Sequence, residues 1–251
     1  MLANAVALLF AYLVPRGFTF AAVVVAEPVA TMFASARSPE NNTFPCTDKG
    51  RAGVVEPMLD TAILGGGLIA ALVLAAILAI VRVLRVPILD RVVAVFISFF
   101  RGTPLLVQLF LFYYGLPQLV SALTVIDGVT ATIMGLTMHF SAYMAESIRA
   151  AIVGVDRSQT EAALSIGMTN GQLMRRIVLP QATRVALPTL MNYFIDMIKA
   201  TSLAFTLGVT ELMGATQKEA AGSFLYFEAF IVAAVIYWIV VEMLSKLQHY
   251  L

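Results

Sequence analysis

The chain has 251 residues, of which 60% are hydrophobic and 12% are charged, and its mean hydropathy is +0.90. Soluble domains contain about 45–50% apolar and about 25% charged residues, so this composition excludes an ordinary soluble protein and indicates an integral membrane protein. The net charge of +1 argues against a general nucleic-acid binder. One cysteine, Cys46, and two distant histidines exclude an internal disulfide and argue against a zinc centre.

Residues 1–57 form an N-terminal hydrophobic segment followed by a polar loop. Residues 1–14 and 18–36 are apolar, apart from Glu27 and Pro28 in the second run. Three interpretations stay open: a signal-peptide core that lacks its basic start, an extra membrane helix kinked near Pro28, or a segment outside the working protein, with translation beginning near Met58. We favour the extra helix.

Two membrane helices are predicted next. Residues 61–81 form the first, in which glycines and alanines favour close packing against another helix. Residues 92–100 are apolar but too short to cross a bilayer, which predicts an interfacial helix. The second membrane helix is predicted to begin with Thr103 as its cap and Pro104 as its first residue. Arg101 is interpreted either as an anchor at the lipid headgroups or as a structural residue.

The third predicted membrane helix, residues 129–148, carries several polar side chains. His139 and Ser141 lie deep within it and should face protein or a cavity rather than lipid. Glu146 and Arg149 are three residues apart near its end, and we predict an ion pair between them at the membrane interface.

The fourth predicted membrane helix, residues 185–209, contains Asp196 and Lys199 one helical turn apart. Ionisable side chains inside a membrane are costly and are functional candidates by default. We interpret this pair either as part of a transport pathway or as a mutually neutralising pair that fixes helix packing. Residues 211–224 are predicted to form a loop or short re-entrant segment, and residues 228–244 the fifth membrane helix.

A polar segment, residues 156–180, separates the third and fourth membrane helices. Such a segment must lie in water or against a soluble partner. We predict two short helices in it: one capped by Ser158 or Thr160, and a second capped by Thr169 and ended by Pro180. The residues whose spacing characterises the segment are Glu161, Ala162, Ala163, Gly167, Ile177, Leu179 and Pro180.

This spacing resembles the cytoplasmic EAA loop in the membrane subunits of bacterial ABC importers. Residues 100–108, which include Arg-Gly-Thr-Pro, and residues 141–149 resemble the polar amino-acid branch of that family. Residues 194–203 resemble its stretch beside the translocation path, and residues 202–213 with 236–238 look most like the cystine-type permeases. The resemblance covers about residues 60–250 of the chain and leaves out residues 1–57.

The resemblance implies an all-α integral membrane fold. Residues 58–251 would form a five-helix permease core with cytoplasmic coupling helices, and residues 1–57 a separate segment. It implies a permease subunit of an ATP-driven importer for polar amino acids, with cystine as one candidate, in the bacterial inner membrane. The polar segment would couple the chain to its ATPase. The candidate lining of the translocation pathway is Ser141, Asp196, Lys199, Thr201 and Ser202.

The expected partners are two ATPase subunits, a second permease subunit of the same or a sister chain, an extracytoplasmic solute-binding protein and the lipid bilayer. The sequence has no Walker-type phosphate loop and no nucleophile–base constellation. We therefore expect that the chain is not an enzyme, that it holds no cofactor, and that a partner subunit binds ATP.

The distribution of charge predicts the orientation independently of any motif. If the polar segment lies inside the cell, nine basic residues lie on its side of the five-helix core, and Lys218 alone lies opposite. Basic residues concentrate on the cytoplasmic side of membrane proteins, so the C-terminus is predicted to be cytoplasmic. The nine are Arg82, Arg85, Arg91, Arg149, Arg157, Arg175, Arg176, Arg184 and Lys246.

Two other classes of function stay open. A stand-alone channel or ion-coupled carrier could use Asp196, Lys199 and Glu146 as a relay, although we find no inverted repeat in the sequence. A membrane scaffold or sensor without transport is the other, and nothing in the sequence resembles an attached signalling domain.

Overall fold

The computed structural model of the protein describes residues 62–120 and 126–249. The predictions for residues 1–57 lie outside these residues. Within the two described ranges every regular element is helical. The longer helices are α1 (Gly67–Leu84), which follows a wide helical turn at Ala62–Gly66, α2 (Leu89–Gly102), α3 (Leu105–Leu119), α4 (Gly128–Val153), α7 (Leu179–Ala200), α8 (Leu212–Ser223) and α9 (Tyr226–His249). Two short helices, α5 (Arg157–Ser165) and α6 (Asn170–Leu173), lie between α4 and α7.

The core of the described chain is built around α4, which packs most extensively against α1 and also against α2 and α7. The contact faces of α1 and α4 contain many small residues, including Ala71, Ala75 and Ala142, all fully buried. Small residues let two helix backbones approach closely without leaving a void. A hydroxyl–carbonyl bond from Thr137 to Gly67, with 3.4 Å between the oxygens, joins the two helices.

Length and composition identify two single helices of the described chain that could cross a membrane, residues 64–84 and 226–248, and the bent pair α2–α3 could form a third span. The helices α4 and α7 have 26 and 22 residues. At about 1.5 Å per residue they are also long enough to cross a bilayer, and their polar residues lower their hydropathy. The all-helical membrane fold expected from the sequence is therefore confirmed.

The turn between α2 and α3 is sharp, because the two helices are bent by 111° relative to each other. Buried Gln108 fixes this bend. Its Nε2 donates to the carbonyl oxygens of Phe100 (3.0 Å) and Thr103 (3.1 Å) and to the Thr103 hydroxyl (2.7 Å). Its Oε1 lies 3.0 Å from Nδ1 of His139 on α4. Gln108 thus satisfies carbonyls at the end of α2 that have no partner within the helix.

The predicted start of the second membrane helix is wrong in detail. Pro104 precedes α3, with an extended backbone, instead of being its first residue, and the Thr103 hydroxyl donates back to the carbonyl of Phe99 at 2.8 Å. Thr103 therefore belongs to the end of α2. The reason is the 111° bend, which requires an extended residue between the two helices.

Replacing Gln108 with leucine is expected to destabilise the fold. The variant would leave buried carbonyls and the His139 ring without a partner, which costs about 1–3 kcal/mol in the free energy of unfolding. Thermal unfolding of the purified protein in detergent should show a Tm several degrees lower, at about 2–4 °C per kcal/mol. The matched control is Gln118→Leu, since Gln118 makes one exposed bond to the Tyr114 carbonyl. Equal Tm values for the two variants would contradict the assigned role.

Residues 211–224, predicted to be a loop or a short re-entrant segment, contain the helix α8, so the loop alternative is wrong and the re-entrant alternative stays a prediction. Buried Glu211 begins it by accepting bonds from the backbone N–H groups of Met213 (2.8 Å) and Gly214 (2.6 Å). The Tyr237 hydroxyl donates to the same carboxylate at 3.3 Å and joins α8 to α9. The predicted fourth span also ends earlier than expected, because α7 stops at Ala200 and tightens into a 3₁₀ segment, Thr201–Leu207.

Candidate functional site

The polar segment between α4 and α7 begins at Asp156, whose carboxylate accepts a bond from the backbone N–H of Ser158 at 2.9 Å and so caps α5. The prediction that Ser158 or Thr160 provides the cap is wrong, because the helix starts one residue after Asp156. The N–H of Ser158 also lowers the pKa of the Asp156 carboxyl. The cap therefore stays negatively charged at neutral pH, where a negative charge at the start of a helix is favourable.

Gly167 ends α5 in a left-handed conformation, with φ of 81°. Its N–H donates to the carbonyl of Leu164 at 3.0 Å, and the N–H of Met168 donates to Ala163 at 3.1 Å, which reverses the chain direction. A side chain in this conformation is strained, so glycine is the residue that fits best. Leaving aside Ile166 and Met168, no atom of the described residues lies within 4 Å of the position where a Cβ would stand. Apart from its two chain neighbours, no described residue therefore packs against the open side of Gly167.

Thr169 begins the next helix with a complete capping box. Its hydroxyl accepts from the N–H of Gln172 at 3.3 Å, and the Gln172 side chain accepts from the N–H of Thr169 at 2.9 Å. The predicted cap at Thr169 is confirmed. The prediction that Pro180 ends this helix is wrong, because a wide turn at Met174–Val178 leads directly into α7 and places Pro180 in its first turn. A proline is tolerated there, since its missing N–H is not required for the helix.

The seven sequence-selected residues of the segment divide into two groups. Glu161, Ala162 and Gly167 are exposed, while the other four, Ala163, Ile177, Leu179 and Pro180, are buried or half-buried and support the fold. Sequence analysis did not select Leu164 and Ile166, although Ile166 is 77% exposed. The sequence did contain a signal that could have identified them, since both are apolar residues within a polar segment.

We use the name α5 surface for five exposed residues of α5 and the turn that ends it: Glu161, Ala162, Leu164, Ile166 and Gly167. It combines apolar side chains with a glycine turn that has open space beside it. The surface is held by a small core of Ala163, Leu173 and Val178. It is also connected to α7 by a bond from Gln181 to Gln159, with 3.1 Å between nitrogen and oxygen. Helix α5 is therefore in direct hydrogen-bond contact with the first turn of α7.

The predicted Glu146–Arg149 ion pair is present: the arginine Nε lies 3.0 Å and 3.1 Å from the two carboxylate oxygens. Arg101 lies over the ring of Tyr143, with its guanidinium carbon 5.3 Å from the ring centre, and the Tyr143 hydroxyl donates to the Arg101 carbonyl at 3.2 Å. These contacts join α2 to α4 and favour the structural interpretation of Arg101.

Four of the five candidate pathway residues lie together at the end of α7 and the start of the 3₁₀ segment. Lys199 Nζ lies 2.7 Å from Asp196 Oδ1, and both side chains are 51% exposed. The hydroxyls of Thr201 and Ser202 donate to backbone carbonyls one turn earlier. The fifth residue, Ser141, is fully buried on α4 and donates to the Met138 carbonyl at 2.9 Å. The charged pair therefore lies on an outer face of this chain, and Ser141 lies inside its core.

Comparison with known proteins decides the family. The model of the family described as "Binding-protein-dependent transport system inner membrane component" matches residues 67–251. The chain belongs to this family. It is 64% identical over 182 residues to the probable amino-acid ABC transporter permease protein PatM of Vibrio harveyi, covering 72% of this chain and 82% of that protein.

Other relatives of this permease agree with that assignment. The L-cystine transport system permease protein TcyL of Bacillus subtilis is 41% identical over 172 residues, covering 67% of this chain and 72% of TcyL. A chain in the crystal structure of an amino acid ABC transporter with histidines superimposes with a TM-score of 0.73 at 32% identity, covering 84% of this chain and 98% of that chain. The resemblance to ABC-importer permeases is thus confirmed in sequence and in fold.

Proposed function

We propose that this permease is the membrane-spanning subunit of an ATP-driven importer for polar amino acids and forms half of its translocation path. The observation that supports this most directly is the α5 surface, which presents exposed apolar side chains beside a left-handed glycine. Exposed apolar side chains in a water-facing segment indicate a protein-binding surface. Docking of an ATPase subunit on this surface would transmit nucleotide-driven movement through Gln159 and Gln181 into α7.

Members of the family are described as inner membrane components of transport systems, and this permease is a multi-pass membrane protein. We propose that the α5 surface and the C-terminus face the cytoplasm, because nine basic residues lie on that side of the core and Lys218 alone lies opposite. ATP would be bound and hydrolysed by a separate ATPase, so this chain would act without a cofactor or an enzymatic site of its own.

The proposed assembly contains two ATPase subunits, two permease subunits and an extracytoplasmic binding protein. Five helices enclose little of an aqueous route, so a second permease, the same chain or a sister chain, would supply the other half, most simply through a two-fold axis. The helix α9 supports this, because the described chain covers little of its apolar surface.

The substrate class rests on the relatives. PatM is named as a probable amino-acid permease and TcyL as an L-cystine permease. We propose a polar amino acid, with cystine as the first compound to test. The proposed pathway lining is the charged pair Asp196–Lys199 with Thr201 and Ser202 from each permease, whereas Ser141 would require a rearrangement of α4 to reach it.

Reconstitution of the permease in liposomes tests the proposal. With the ATPase and binding protein present, labelled amino acid should accumulate in an ATP-dependent way, and omission of either partner should abolish accumulation. Amino-acid flux through the permease alone would contradict the proposal and favour the stand-alone channel or carrier. Absence of uptake for every polar amino acid, with the complex intact, would contradict the substrate class.

A further inference from the structure

A second surface of the permease lies at the junction of α1 and α2, outside the polar segment of residues 156–180, which is the proposed coupling segment. We propose that this surface binds anionic phospholipid headgroups, with Arg85 and Arg91 as the headgroup ligands and the outer side of α2 in the adjoining acyl region. Only the choice of leaflet rests on the proposed function, because the orientation proposed there places Arg85 and Arg91 at the cytoplasmic leaflet.

The geometry of α2 fits a helix that lies in the plane of the membrane interface. Because α2 is bent by 111° from α3, it runs close to the membrane plane if α3 crosses the bilayer. One stripe of α2 is buried against the core and consists of Val93, Ile97 and Phe100. The neighbouring stripe, Val92, Val95 and Phe99, faces outward, and Val95 is 70% exposed. A helix with an apolar outer face beside basic residues is typical of interfacial membrane binding.

The charge at the α1–α2 junction is positive. Arg85 and Arg91 are exposed, and neither forms an ion pair with any of the described residues. The single acidic residue of the junction, Asp90, is already paired with Arg82 at 2.8 Å and therefore repels an incoming phosphate less. Two free guanidinium groups next to an apolar stripe match the two parts of an anionic phospholipid, the phosphate and the start of its acyl chains.

The same surface is connected to the transport core. The inner stripe of α2 packs on α4, and the Gln108 bonds hold the turn that follows α2. The helix α4 leads through a three-residue turn into α5, the first helix of the coupling segment. Lipid bound at Arg85 and Arg91 would therefore stabilise the packing of α2 on α4.

Photocrosslinking tests the proposal on the assembled complex. A benzophenone amino acid replaces Val95, and the complex is placed in bilayers with equal amounts of phosphatidylglycerol and phosphatidylcholine that carry identical acyl chains. After irradiation, mass spectrometry of the α2 peptide counts the two lipid adducts. We expect phosphatidylglycerol adducts to exceed phosphatidylcholine adducts by about fivefold, the preference expected from one effective cation, and by more if both contribute.

The variant Arg85→Gln/Arg91→Gln should bring the adduct ratio close to one. The matched control is Arg184→Gln/Lys246→Gln, which removes two cations of the same predicted side outside α2 and should leave the ratio unchanged. A ratio of one in the parent protein, adducts to another protein chain, or equal effects of the two double variants would overturn the proposal. The adduct ratio is measured without transport. If the parent complex prefers phosphatidylglycerol but takes up no amino acid, that result contradicts the proposed function and not the lipid-binding proposal.

Discussion

Replacing Gly167 with aspartate is expected to reduce ATP-dependent uptake by tenfold or more. Two effects combine at this position. A side chain at a φ of 81° introduces strain of about 1–2 kcal/mol into the turn that ends α5. The added carboxylate would also stand in the open space beside Ile166, where we propose that the ATPase docks. Uptake in reconstituted liposomes and co-purification of the ATPase measure the two consequences.

Two further variants separate the strain from the charge. Asparagine tolerates the left-handed conformation better than most residues and carries no charge, so Gly167→Asn should retain more uptake than Gly167→Asp. Gly222→Asp is the matched control, because Gly222 is exposed on α8 and has an ordinary backbone. Apart from its chain neighbours and the nearby backbone of its own helix, no described atom lies within 4 Å of its Cβ position. Unchanged uptake and ATPase binding in Gly167→Asp would show that the coupling role is wrong.

Asp196→Asn and Lys199→Met should each lower the uptake rate by about tenfold while the complex still assembles. Either change leaves an unpaired charge at the end of α7, within the part of the chain that we place in the membrane, where an uncompensated charge costs about 2.5–3.5 kcal/mol. Both side chains are half exposed on the single chain, so the loss should affect the pathway more than the core. Uptake kinetics and size-exclusion chromatography of the complex provide the two readouts.

The ion pair Glu242–Lys246, with 3.8 Å between nitrogen and oxygen, offers the control for this experiment. Glu242→Gln and Lys246→Met remove the same kinds of charge near the end of α9 and should leave uptake close to that of the parent. Normal kinetics in both α7 variants would rule out the pathway role. Loss of assembly in Asp196→Asn or Lys199→Met would instead support the interpretation that the Asp196–Lys199 pair fixes helix packing.

The sequence predicted the helical elements well wherever apolar length or spacing determined them. The apolar run at residues 61–81 became α1, and the ion pairs Glu146–Arg149 and Asp196–Lys199 formed because three residues make almost one helical turn. The cap at Thr169 was predictable because its partner Gln172 lies three residues further on.

The errors have more than one physical cause, since some depend on local turn geometry and others on contacts between elements that are distant in the sequence. The helix α8 was not among the predicted helices, because the bond from Tyr237 that holds Glu211 comes from a helix further along the chain. Pro180 was taken as a helix end because a wide turn before a proline leaves no pattern in the residues. The role of Gln108 depends on the sharp bend after α2, which local propensities do not specify.

The exposure of individual residues in the coupling segment was also unpredictable. Four of its seven selected residues support the fold, while Leu164 and Ile166 are exposed beside Gly167. Helical periodicity places residues on a face, but the packing of Ala163 against Leu173 and Val178 decides which face is covered. The left-handed conformation of Gly167 was likewise known only from the structure.

The most direct test of the account is the side of the membrane on which the α5 surface lies. A single cysteine is introduced by Ser165→Cys, at an exposed position of α5, in a chain whose only native cysteine is removed by Cys46→Ser. A membrane-impermeant maleimide should label this cysteine in inside-out vesicles stripped of the ATPase, and added ATPase should protect it. Labelling in intact right-side-out vesicles would place the surface outside the cell, where no cytoplasmic ATPase reaches it, and would contradict the account.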